Sequence, residues 1–203
     1  MTPHRQIRAH HTADTITVYQ AYPAAIAAAA VDAQRFVPPF KRDRMTWIKP
    51  SYLWMAYRCG WATKPGQECV LAIDITRAGF EWALAHSSLS HHEAGTYPDH
   101  DAWLQAKQSS PVRLQWDPER DLDLRPLEHR SLQIGLSGPA VDHYINDWTV
   151  TITDITDHIH HTHQLITTGH RDDARRNLPD EHPYPLAPEL ITRIGATAVP
   201  YSS

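Results

Sequence analysis

The chain has 203 residues, 41% apolar and 21% charged, and a net charge of −4 when its 15 histidines are neutral. This is the profile of an ordinary soluble domain, and it excludes a protein whose whole surface grips nucleic acid while leaving room for a local basic cleft. Two cysteines without a CxxC spacing exclude a disulfide framework and make cytoplasmic residence the expectation.

A chain of this length reads as one domain that buries roughly 70% of its unfolded surface and needs no staple. Its first residues, MTPHRQIRAHHTAD, lack an apolar core, so no signal peptide is expected. The apolar run Ala24 to Val31 is too short to cross a bilayer, and no membrane association is expected.

In chain order, Thr15 to Tyr19 alternates and reads as a strand, with Gln20, Ala21 and Tyr22 as the turn after it. Pro23 then opens a helix of alanines, whose free N-terminal N–H groups lie close to Gln20 and Tyr22. Both residues also suit plain structural roles, packing for Tyr22 and capping for Gln20. Val37-Pro38-Pro39-Phe40 breaks the helix, and a second helix begins near Pro50 and ends at Gly60. Cys69 to Ile75 is apolar on both faces apart from Asp74, as a central strand is. A short helix over Thr76 to Ala85, a loop over Ser87 to His100 and a further short helix to Lys107 follow.

Val112 to Trp116 and Ser131 to Leu136 read as antiparallel strands joined by a charged loop. After Gly138-Pro139 an apolar stripe runs through Val141, Ile145, Trp148, Ile152, Ile155, Ile159 and Ile166. Its spacing of three and four predicts a long helix, broken near Asp154 if anywhere, although Thr149 to Thr153 also alternates as a β-branched strand would. The result is a single α+β domain over residues 1–178, a small mixed sheet with flanking helices, followed by a Pro-rich C-terminal segment over 179–203 with a short helix near Glu189 to Ile194.

The residues offer little for metal or nucleophilic chemistry. His158, His160, His161 and His163 pair at i+3 on a helix, but neither HExxH nor a carboxylate–histidine pattern completes a site, so no metal is predicted. No GxSxG, GxGxxG or GxxxxGK[ST] occurs. Cys59 falls at a helix C-terminus, where the dipole opposes thiolate formation, and Cys69 opens a buried strand. The densest chemical feature is Arg44 to Lys64, RMTWIKPSYLWMAYRCGWATK, with three of the seven tryptophans and four cations. Leu53, Trp54 and Tyr57 share one helix side and suit a core face. Arg44, Lys49, Arg58 and Lys64 suit a ligand with anionic groups and a flat ring, and Gln115, Asp117, Arg120, Arg130 and Gln133 supply polar groups for the same cleft.

These runs, with ITVYQAYPAAIAAAA, VLAIDITRAGFEWAL, VRLQWDPERD and HRSLQIGLSGPAVDHYINDWTVTITDIT, resemble the family catalogued as domain of unknown function 4291 from about Ile7 to about Leu190. The chain departs from that pattern at Cys59, where Ser is usual, and at Ser137, where Arg is more frequent, which removes support for a required thiol. The family implies no activity of its own. Two functions of different class follow. One is a nucleotide- or NAD-binding transferase similar in outline to ADP-ribosyltransferases, in which Tyr19, Gln20, Tyr22, Arg44, Lys49, Arg58 and Gln133 hold the ligand and Glu68 is the catalytic acid. The other is a non-catalytic binder of single-stranded nucleic acid or nucleotide that uses the same stretch for stacking.

Overall fold

Thr15–Tyr22 (β2) pairs antiparallel with Cys69–Thr76 (β4) along its whole length, from Thr15 opposite Thr76 to Tyr22 opposite Cys69. The computed structural model describes residues 2–197. Gln20, Ala21 and Tyr22 are therefore strand rather than turn. Pairing continues until Pro23, which has no N–H to give a ladder and leads into Ala24–Ala33 (α1). The apolar core of β4 explains the extension, since β2 is held against a neighbour buried at Val70, Leu71, Ile73 and Ile75.

The described residues form one α+β domain with three small sheets. Arg8–Ala9 (β1) pairs with His182–Pro183 (β9). The second sheet runs β2, β4, Thr149–Asp154 (β8). The third runs Thr46–Ile48 (β3), Pro126–Leu136 (β7), Val112–Arg120 (β6), Ser87–Leu89 (β5), and is mixed because β5 and β6 are parallel. β6 and β7 are antiparallel neighbours, and the charged stretch between them is a continuation of both strands past a bulge at Pro118 to Arg120, not a long loop. The helices are α1, Tyr52–Cys59 (α2), Arg77–Ala85 (α3), His100–Ser109 (α4), Pro139–His143 (α5), Thr156–Thr167 (α6), Arg171–Arg176 (α7) and Pro188–Ile194 (α8).

The long helix expected after Gly138 is not one helix. α5 passes into a π-helical turn over Tyr144–Trp148, then into β8, then α6. β8 pairs with β4 from Leu71 opposite Asp154 to Ile75 opposite Thr149, so each Thr and Ile of the strand finds a ladder partner and the register shift falls at Val150. Val141, Ile145, Trp148, Ile152 and Ile159 are all buried. The stripe reports burial across four successive elements, and the β-branched alternation of Thr149 to Thr153 decides the third, β8. Asp154 ends the strand, its Oδ1 accepting the Thr156 N–H at 2.8 Å.

Among the described residues one backbone bridge joins the two larger sheets. The Tyr19 N–H donates to the Lys49 carbonyl at 2.7 Å and the Lys49 N–H returns a bond to the Tyr19 carbonyl at 3.3 Å. On the opposite side, α3 packs Gly79 against Trp148 so closely that a Cβ would overlap the indole. Gly79→Ala is therefore expected to lower stability by about 1–3 kcal/mol, seen as a lower urea midpoint at unchanged slope.

The C-terminal segment is fastened rather than trailing as far as it is described. Tyr184 and Ile194 are buried, and the Thr197 N–H reaches the Arg5 carbonyl at 2.8 Å. The last part of the Pro-rich segment, 198–203, lies outside the described residues. Among those described, no helix is long and apolar enough to cross a membrane.

Candidate functional site

Beyond the Tyr19–Lys49 junction the sheets diverge, and a cavity of about 740 Å³ opens between the end of β2, the loop before β3, α2 and the β6–β7 pair. Gln20, Tyr22, Arg44, Lys49, Arg58 and Gln133 line it. Tyr19 does not, because alternation along β2 turns it to the other side, where its ring packs edge-on against Tyr52 at 5.8 Å. Glu68 is exposed, and its carboxylate accepts the Gly66 N–H at 2.8 Å, one residue from Gln67 on the cavity rim.

Four cations face this space: Lys41, Arg44, Lys49 and Arg58. Among the described residues, no carboxylate lines the cavity and none of the four cations forms an ion pair. Lys41, Arg44 and Arg58 are exposed, whereas Lys49 is buried. Burial pulls the Lys49 amine down to about 7, the Arg58 charge adds to that, and Asp117 and Cys59 oppose it. Its Nζ donates to the Trp47 carbonyl at 3.2 Å and lies 5.3 Å from the centre of the Trp54 ring. Lys64 is not in the cavity. It closes the C-terminus of α2, donating to the carbonyls of Tyr57 at 3.3 Å and Arg58 at 2.8 Å.

The amides divide into two kinds. Gln20 is committed to the protein: its Nε2 donates to Thr46 Oγ1 at 2.7 Å and the Trp47 carbonyl at 3.2 Å, and its Oε1 accepts from the Tyr144 hydroxyl at 2.8 Å. It ties β2 to β3 and sets the cavity's width. Tyr22 joins the same network through Thr46 Oγ1 at 3.0 Å, and burial raises its hydroxyl pKa far above the usual value, so it stays protonated. Gln115 and Gln133 sit opposite each other on β6 and β7. Both donate to Asp117, at 2.8 and 2.7 Å. A carboxylate accepts only, so it fixes which end of each amide faces it and leaves each amide oxygen available to a donor.

Little in the sequence marks Lys41, Gln67 or Met45, which also line the cavity, because they lie in loops whose path depends on distant contacts. The tryptophans are mostly interior: Trp54 and Trp61 are each 6% exposed, while Trp47 is half-buried in the cavity wall. Tyr57 is exposed, but the Arg120 guanidinium covers its ring at 3.6 Å. Arg130 donates to the Trp116 carbonyl at 2.9 Å. Cys59 is fully buried, which pushes its thiol pKa up, against the lowering effect of the Ala62 N–H that its sulfur accepts at 3.3 Å. Among the described residues, no three His, Cys, Asp or Glu side chains gather as a metal site would need.

A family model described as domain of unknown function (DUF4291) matches residues 6–184. No curated protein matches the chain.

Proposed function

The chain belongs to the DUF4291 family, whose description names no reaction, and we propose from the cleft itself that it binds a phosphate-bearing, hydroxyl-rich small molecule of the nucleotide class. NAD is the candidate we favour, with transfer chemistry of the ADP-ribosyltransferase kind as the reaction. The observation that carries this reading is the convergence of Lys41, Arg44, Lys49 and Arg58 on one cavity without a carboxylate among the described lining residues. Gathered like charges raise the free energy of the empty cleft, and a polyanion relieves them through charge-assisted, bidentate bonds. The open oxygens of Gln115 and Gln133 suit the hydroxyl or amino donors of a sugar or base. A volume of about 740 Å³ falls within the span of small-molecule sites.

The nucleic-acid alternative has less to draw on. A stacking platform needs several open ring faces, and of the aromatics in the Arg44 to Lys64 stretch Trp47 alone lines the cavity, while Tyr52, Trp54 and Trp61 are buried and Tyr57 is covered by Arg120. Under the transferase reading Glu68, on the rim beside Gln67, is the acid to test.

Melting curves should rise with pyrophosphate and with NAD, following the concentration dependence of ligand linkage. Arg44→Ala and Arg58→Ala should leave the ligand-free melting temperature in place and weaken binding by about 10- to 100-fold each, the equivalent of 1.5–3 kcal/mol per charge-assisted bond. Nicotinamide release abolished by Glu68→Gln, with folding intact, supports the transferase step. No response to either ligand would sink the cleft reading. A salt-steep response to a single-stranded oligonucleotide, without turnover, would replace it with the binding module.

A further inference from the structure

Lys49 is the buried one of the four lysines, at 6% exposure; Lys41 and Lys64 are exposed and Lys107 is half-buried. A lysine buried for stability is paired with a carboxylate, because an unpaired buried ammonium costs several kcal/mol. Lys49 has no such partner among the described residues. Its nearest acidic influence, Asp117, already accepts from Gln115 and Gln133 with its two oxygens. What Nζ does have is one carbonyl, one indole face and the open cavity. The backbone is pinned in both directions to Tyr19, so the amine cannot be withdrawn by a small shift of the strand.

This arrangement fits no structural purpose that a methionine would not serve better. It does fit a second use. A desolvated amine beside other cations is the recognised setting of a nucleophilic lysine.

We propose that Lys49 is an amine nucleophile that forms an imine with the aldehyde of a phosphate-bearing ligand, the phosphate being held by the exposed cations Arg44, Arg58 and Lys41. The inference rests on the cleft reading in one respect only, that the cavity admits a phosphate. It departs from NAD, whose riboses are closed as glycosides, and directs the ligand to phosphate esters with an aldehyde or a ring-closed aldose that opens to one. The neutral Nζ adds its lone pair to the carbonyl carbon, and one of its own protons passes to the carbonyl oxygen to give a neutral carbinolamine. That hydroxyl leaves as water with a further proton, and the nitrogen is left as a protonated imine. No electrons are gained or lost, and the reverse reaction with water releases the aldehyde. Depression of the amine to about 7 leaves much of it uncharged at neutral pH, where an ordinary lysine is almost wholly protonated.

The probe is pyridoxal 5′-phosphate, a phosphate-bearing aldehyde, followed by borohydride, which reduces an imine to a stable secondary amine. Peptide mapping then assigns the label among the four lysines. Lys49 is expected to be labelled about 10-fold faster than Lys41, Lys64 or Lys107, the larger uncharged fraction outweighing the lower intrinsic nucleophilicity that goes with a lower pKa. Pyridoxal without phosphate should label it more slowly, and excess pyrophosphate should protect it. Lys49→Arg and Lys49→Met should remove the fast-labelled site and leave the other three lysines unchanged. Equal labelling of all four lysines, in protein that pyrophosphate still stabilises against heat, would overturn the imine and leave the anion cleft standing. Rapid labelling of Lys49 by both aldehydes alike, with no thermal response to pyrophosphate, would overturn the phosphate requirement and the cleft reading together.

Discussion

Replacing Glu181 by glutamine is expected to stabilise the protein at neutral and alkaline pH and to flatten its stability between pH 4.5 and 8. Glu181 precedes β9, and its Oε1 accepts the Tyr52 N–H at the start of α2, at 2.7 Å. Burial drives its carboxyl up to about 8, and Glu119 adds to the rise, while the Tyr52 N–H and Arg8 oppose it. Glu119 is itself raised by burial, against hydrogen bonds from the Arg120 N–H, Ser51 and Ser131. Because the folded pKa of Glu181 lies above the unfolded value, its stabilising contribution is whole below about 4.5 and is lost as pH rises through about 8. The full shift at ~1.4 kcal/mol per unit overstates the effect for a residue only half-buried, so a gain of roughly 2–3 kcal/mol is expected for Glu181→Gln above pH 8. The glutamine oxygen still accepts from Tyr52, so the cap survives. Urea unfolding at a series of pH values checks this: a variant with the same slope against pH as the parent would rule Glu181 out as the source.

The strands with buried alternation were legible because burial on a sheet has a period of two that few other arrangements share. β6 follows that pattern at Val112, Leu114 and Trp116, whereas β4 was legible as a short run apolar on both faces, and the helix before Gly60 was legible from its terminator, whose φ of 60° is the left-handed value a helix end favours. β8 was misleading for a physical reason. Ile152 lies four residues after buried Trp148 and three before half-buried Ile155, both outside the strand, so a helical period arises without a helix. The candidate site was legible in kind but not in assembly. Charge beside aromatics in Arg44 to Lys64 marked the region, yet the convergence depends on the Tyr19–Lys49 bridge and on Asp117 orienting two amides, and both join residues far apart in the chain. Alternation along β2 also placed Tyr19 and Gln20 on opposite sides, which a turn at Gln20 could not have foretold.

Lys49→Met is expected to make the protein more stable while removing the amine from the cleft. Methionine has a similar unbranched length and would lie against Trp54 and in the company of Met55 without a charge to desolvate. The parent lysine has its folded pKa pulled below the unfolded value, so its stabilising contribution is present above about 10.5 and is lost as pH falls through about 7. Below pH 7 the buried ammonium therefore costs on the order of 3 kcal/mol. Against that stands the attraction of the ammonium for the Trp54 face, worth about 0.5–2 kcal/mol, so the substitution gains on balance. The two titrations act in opposite senses. Glu181 lowers stability as pH climbs toward 8 and Lys49 restores it above 7, which places a stability minimum between these values. The double variant Glu181→Gln, Lys49→Met should lose that minimum, and chemical denaturation across the range would show it. If Lys49→Met proved less stable than the parent at neutral pH, the amine would be a packing residue with a partner, and its placement in the cleft would owe nothing to a ligand.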